Sequence, residues 1–188
     1  MTPSPASAPP SAGAVATGGT PAGLATATAP PVDCSALVPT PALTEGPYFT
    51  AGSPAKTDLR EPGMEGTTLV VVGHVVDRSC NPVAGAVIDV WQADAAGTYD
   101  NAGYRLRGHL ESGPDGSYRF TTIVPGLYPG RTEHIHVKVT PPGGPTLTTQ
   151  LFFPGVSQND EDGIFDAAGL LTITETPDGL LGAYTFVL

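Results

Sequence analysis

The sequence predicts an all-β fold, a single antiparallel β-sandwich with long loops, and three observations carry that reading. Short runs rich in β-branched and apolar residues recur along the chain. Turn signals separate them every 8–15 residues, with 24 Gly and 21 Pro among 188 residues. No stretch of helical length holds an apolar period of 3.6 residues. Short strands joined by tight turns at this spacing belong to sandwiches, whereas a helical protein would need the longer period.

Taken in order, residues 1–32 contain no Asp, Glu, Lys, Arg or His and are almost wholly Ala, Pro, Thr, Ser and Gly. Such a stretch buries too little apolar surface to offset a chain entropy of about 1–2 kcal/mol per residue. A disordered tail or linker is therefore expected over 1–32 and one domain over 33–188. The first strand is expected over 67–76, broken at Gly73, with a turn from Asp77 to Pro82 and a second strand over 83–93. Asp115-Gly116 is a hairpin signal ahead of a strand over 117–123. Further strands are expected over 134–140, 147–153 and 183–188.

A formal net charge of −10, with Lys56 and Lys138 the only lysines, argues against nucleic acid or an anionic membrane as partner. No run of about 18 apolar residues suggests a membrane span. The N-terminus lacks the basic region and unbroken apolar region of a secretory signal, yet its Ala/Pro/Thr-rich stretch is similar to spacers that follow export signals. An extracellular or cell-surface location is expected, with the cytoplasm as the alternative. Cys34 and Cys80 are not in a C-x-x-C spacing, which leaves one bridge or two free thiols.

The chemistry concentrates in Arg131-Thr132-Glu133-His134-Ile135-His136-Val137. On a strand, His134 and His136 leave the same face with origins about 6–7 Å apart, a separation one metal ion can bridge. Two satisfied strand histidines are the plain alternative. Tyr99 and Tyr128 each follow a Gly-containing turn and offer anionic oxygens of the kind a ferric ion favours. Other metal readings fit less well. A cupin needs a Glu shortly after H-x-H, and residues 137–141 have none; a zinc hydrolase recruiting His74 or His109 lacks a general-base Glu in a familiar spacing. Asp160-Glu161-Asp162-Gly163 lacks ligands at alternate positions and reads as a solvated turn rather than a calcium loop. Trp91 reads as core.

The rhythm of Cys80-Asn81-Pro82-Val83-Ala84-Gly85, then Asp115-Gly116-Ser117-Tyr118 and Pro125-Gly126-Leu127-Tyr128, also occurs in transthyretin-like and collagen-adhesin modules. There the last Tyr is often a core or edge residue. A metal-free surface module would explain the sandwich, but not His134 and His136 with Gln92, Arg131 and Gln150 around them.

Five segments in order resemble the intradiol ring-cleavage dioxygenases. They are Thr44-Glu45-Gly46-Pro47-Tyr48-Phe49; Val87 to Asp94 leading to Gly97-Thr98-Tyr99-Asp100; Phe120 to Tyr128; Arg131 with His134-Ile135-His136; and Leu147 to Phe153 with Gln150. Each motif is weak alone. The resemblance implies a non-haem ferric ion held by Tyr99, Tyr128, His134 and His136, and a small catecholic substrate that dioxygen opens between its hydroxyls to a muconate-type diacid. It further implies that Tyr99 stays bound, that Tyr128 leaves to accept a substrate proton, that Arg131 stabilises developing negative charge and that Gln150 orients the reacting species. Tyr48 either lines the substrate mouth or packs the leading loop. Assembly into an oligomer is compatible with this reading.

Two departures mark the chain. Only five residues separate Tyr128 from His134, fewer than in the longer members, so the site is expected to be more open. No counterpart of the helical dimerisation domain of the catechol enzymes is expected within these 188 residues. The compact, often exported branch is the most similar; there a cysteine before T-E-G-P-Y and one in the first hairpin recur, at the places of Cys34 and Cys80.

Overall fold

The computed structural model describes residues 23–188, and its regular structure is eight strands with three short 3-10 turns. The strands are β1 (Thr68–Val76), β2 (Val87–Trp91), β3 (Arg107–Glu111), β4 (Ser117–Ile123), β5 (His134–Thr140), β6 (Leu147–Phe152), β7 (Thr172–Thr176) and β8 (Gly179–Val187). They form two four-stranded sheets, ordered β4-β1-β8-β7 and β3-β2-β5-β6. Alternation along each strand sends one set of side chains between the sheets. Val71 and Val75 of β1, Phe120 of β4 and Phe186 of β8 pack there with Ile88 and Val90 of β2 and Ile135, Val137 and Val139 of β5.

The sandwich is mixed rather than purely antiparallel, because β8 pairs with β1 in parallel. The long connection after β6 leads to β7 at the sheet edge, and the tight turn back from β7 sets β8 beside β1 in the same direction. Gly73 does not break β1. A Cβ there would lie 1.6 Å from the Tyr184 carbonyl oxygen, so the glycine lets β8 approach an unbroken strand. The second strand is shorter than expected, and β3 and β7 were not anticipated from sequence. The Arg-Gly-His-Leu-Glu of β3 lacks β-branched residues, and β7 lies at a sheet edge where three of its five residues are exposed.

Residues 1–22 lie outside the described part of the chain. Within the remainder of the stretch read as tail, Leu24 is buried against Val70 and Val72, and Arg119 Nη2 donates to the Leu24 carbonyl at 2.9 Å. Packed chain thus reaches back before residue 33. Cys34 and Cys80 are disulfide-bonded with Cα atoms 5.7 Å apart, tying the lead-in to the turn after β1. Among the described residues no helix is long and apolar enough to cross a membrane.

Candidate metal centre

The histidines lie on the face of the second sheet that points away from the sandwich core. Ile135, Val137 and Val139 fill the core, so His134 and His136 emerge on the opposite face. Register places Trp91 of β2 and Gln150 of β6 on either side of His136. The Trp91 ring stacks on the His136 imidazole, with centroids 4.9 Å apart and planes 6° from parallel. Trp91 is therefore buried, as expected of a core residue, yet it walls the site rather than the sandwich interior.

Both tyrosines come from loops, and two glycines let those loops meet. Gly97 has φ 77°, and a Cβ there would lie 2.1 Å from the Leu127 carbonyl oxygen. At Gly126 a Cβ would lie 2.3 Å from the Ala95 carbonyl oxygen. Backbone touches backbone at both points, and Gly126 N–H donates to the Asp94 carbonyl at 2.8 Å. The lead-in segment adds Tyr48, whose ring stacks on Tyr99 at 4.6 Å and whose hydroxyl is 2.6 Å from that of Tyr128. Tyr48 thus faces the tyrosine pair instead of merely packing its own loop. Arg107, almost fully buried, donates to the Tyr48 carbonyl at 2.6 Å and to the Asp100 carbonyl at 3.0 and 2.7 Å, fixing the backbone beside both rings.

The polar atoms converge. Tyr99 Oη lies 3.1 Å from His134 Nε2, which in turn lies 3.1 Å from His136 Nε2. The Tyr128 ring lies beside this cluster, its centroid 5.8 Å from that of Tyr99 and its hydroxyl on that of Tyr48. His134 Nδ1 is 2.6 Å from the Thr132 carbonyl, which can only accept, so Nδ1 carries the proton and Nε2 presents a lone pair. Burial pushes the His134 pKa down to about 4 and, helped by the neighbouring His134, holds that of His136 well below the ordinary value. Both rings are neutral at neutral pH and thus able to ligate. His136 Nδ1 is buried without a partner. His136 Nε2 faces the Nε2 of His134 at 3.1 Å, so the two ring nitrogens are placed to share one cation. Ligand atoms at right angles on an ion about 2.0–2.1 Å away are themselves about 3 Å apart, the spacing found here. Burial raises the Tyr99 pKa although Arg131 and Arg107 oppose it, and an adjacent metal charge would reverse that preference. Among the described residues no three His, Cys, Asp or Glu side chains are grouped so as to hold a metal ion. An ion at the histidines would draw its other ligands from tyrosine oxygens or solvent.

Arg131 and Gln150 meet beside this cluster. Arg131 Nη2 donates to Gln150 Oε1 at 2.6 Å, and Gln150 Nε2 donates to the Thr44 carbonyl at 2.8 Å. Arg131 Nε pairs with Asp162 at 2.8 Å, and Asp162 also accepts from the Thr132 N–H at 2.9 Å. Asp162 is therefore not part of a solvated turn: it is 8% exposed and orients the arginine. Although burial alone would raise its pKa, the Ile164 N–H, Arg131 and the Thr132 N–H hold it lowered. Sequence reading missed Asp162 and Arg107, since neither lies in a motif whose spacing points to the site. A cavity of about 360 Å³ opens over Tyr128 and Arg131, with Leu127, Gln158, Glu161 and Asp162 in its walls.

A dioxygenase family model matches residues 44–188. The dioxygenase domain of a dioxygenase carbohydrate-binding protein fusion from Streptomyces sp. SirexAA-E is 50% identical with a TM-score of 0.79, covering 80% of this chain and 98% of that one. For 3-chlorocatechol 1,2-dioxygenase from Rhodococcus opacus 1CP the identity is 28% and the TM-score 0.74, covering 79% of this chain and 71% of that one. Hydroxyquinol 1,2-dioxygenase from Nocardioides simplex is 37% identical over 151 residues, 67% of this chain and 51% of that protein. The chain spans about half the length of the curated relatives it matches first. With the family model covering most of the sequence and the two-sheet sandwich shared with those structures, the chain belongs to the intradiol dioxygenase family.

Proposed function

We propose that the chain cleaves the aromatic ring of catechols between the two hydroxyls, using dioxygen and a ferric ion held by Tyr99, Tyr128, His134 and His136, to give muconate-type diacids. The observation that carries the reading is the convergence of Tyr99 Oη, His134 Nε2 and His136 Nε2 at 3.1 Å spacings, all three residues being buried. Bound there, ferric iron would supply a Lewis acid that draws electron density from a catechol ring.

The protein's own part is positioning and proton movement. Tyr99 and the histidines are buried and remain fixed. Tyr128 sits at the cavity and accepts a substrate proton, with the Tyr48 hydroxyl at 2.6 Å able to give or take a hydrogen bond as that charge changes. Arg131, braced by Asp162 and Gln150, places a fixed cation where negative charge develops. Gln150, anchored on the Thr44 carbonyl, keeps its amide oriented toward the same space. The disulfide supports a location outside the reducing cytoplasm.

The test pairs colour with product. Protein purified with iron should show a phenolate-to-iron charge-transfer band, contain about one iron per chain and convert catechol to a diacid with uptake of one dioxygen. A colourless protein that gains no band on iron addition would instead favour a metal-free module.

A further inference from the structure

We propose that the mouth of this site selects against catechols that carry a carboxylate, and that Glu161 sets the preference. The inference rests on the ring-cleavage reading and names the substrate class within it. The cavity over Tyr128 is lined by the apolar Leu127, which is 45% exposed, and Pro129. Gln158, the exposed Glu161 and the buried Asp162 line it as well. Arg131 is the one cation in the lining, and Asp162 and Gln150 already hold its guanidinium at 2.8 and 2.6 Å.

The other cations near the site are committed elsewhere. Lys138 pairs with Glu45 and lies over the Phe49 ring, Arg105 pairs with Asp94, and Arg107 is spent on backbone carbonyls. Among the described residues no cation pairs with Glu161. Two carboxylates against one braced guanidinium leave the mouth negative, and a cleft with low-dielectric walls focuses that field on whatever enters. A neutral substituent meets Leu127 at little cost, while a carboxylate meets Glu161. Because Glu161 lies just past a 3-10 turn with ordinary backbone angles, φ −101° and ψ −17°, its side chain can be changed without straining the chain.

The experiment compares 4-methylcatechol with 3,4-dihydroxybenzoate, alike in size but for the carboxylate. Their kcat/KM ratio is measured for the wild type, Glu161→Gln, Glu161→Lys and Glu175→Lys; Glu175 lies on the exposed edge strand of the other sheet. The ratio should favour the neutral catechol in the wild type, fall about threefold in Glu161→Gln and about tenfold in Glu161→Lys, and stay unchanged in Glu175→Lys. Added salt should shrink the Glu161 effect. The ratio of dissociation constants for the same pair, measured by calorimetry on each protein, reports the preference even where no turnover occurs. Absent turnover with the binding preference intact would sink the ring-cleavage reading alone. A ratio indifferent to Glu161, or equally moved by Glu175→Lys, would overturn this proposal alone.

Discussion

The histidine pair and the tyrosine pair reach the same space by different means. His134 and His136 stand on β5, which is laddered on both sides by β2 and β6, so their separation is fixed by strand geometry. Tyr99 and Tyr128 hang from loops whose approach depends on Gly97, Gly126 and the Arg107 clamp. The sheet supplies a rigid half-site, and tertiary contacts between irregular segments supply the other half. Mutations should separate these halves, because a strand tolerates small losses of packing while backbone-to-backbone contact tolerates no added atom.

The largest effect tests whether both halves are needed. Tyr99→Phe and His136→Ala, one from each half, should abolish iron retention, whereas Tyr128→Phe should keep part of the iron and lose most turnover. Metal analysis beside an activity assay distinguishes them; equal iron and equal activity in all three would break the metal reading. Next, Arg131→Met should lower kcat by about a hundredfold or more while iron content holds, since a fixed cation facing developing charge is removed without touching the proposed ligands.

A sharper comparison sets Gly97→Ala against Val137→Ala. The first puts a methyl 2.1 Å from the Leu127 carbonyl at a positive φ and should cost about 2–4 kcal/mol, with iron affinity falling because the tyrosine loops are pushed apart. The second removes core methyls under the histidines and should cost about 1–3 kcal/mol, while the folded protein still binds iron at the wild-type ratio. Parallel losses of iron affinity would mean the two halves are not mechanically distinct. The smallest effect on the site should follow reduction of Cys34–Cys80. Opening a loop with a sequence separation of 46 should cost about 4 kcal/mol in the chain-entropy model, read as a lower melting temperature, with the visible spectrum of the folded protein unchanged.

Legibility in the sequence follows the same division. The strands over 117–123 and 134–140 were readable because alternation and turn residues are local signals, and they match β4 and β5 in both bounds. That His134 and His136 share a face also follows from period two. Trp91 is buried as expected, but burial in a sequence pattern does not say which side of a sheet is covered. The lead-in segment, with Tyr48 and Phe49, packs on the outer face of β2 and β5 and makes that face a second interior. Asp162 escaped notice for a related reason: its acidic neighbours are exposed, and only the fold brings it to Arg131 across 31 residues.

By itself the sequence determined that this chain is a β-sandwich and that two histidines face one way, since a pleated strand imposes its period on any side chain it carries. Resemblance in the order of five short motifs extended this to the tyrosines, the arginine and the glutamine. Only the tertiary structure decided that β8 returns in parallel beside β1, that the site lies outside the core and beneath the lead-in, and that Arg131 is braced by Asp162. Those features depend on where distant loops come to rest. That is set by close backbone contacts and buried hydrogen bonds between residues far apart in the chain, which no local pattern encodes.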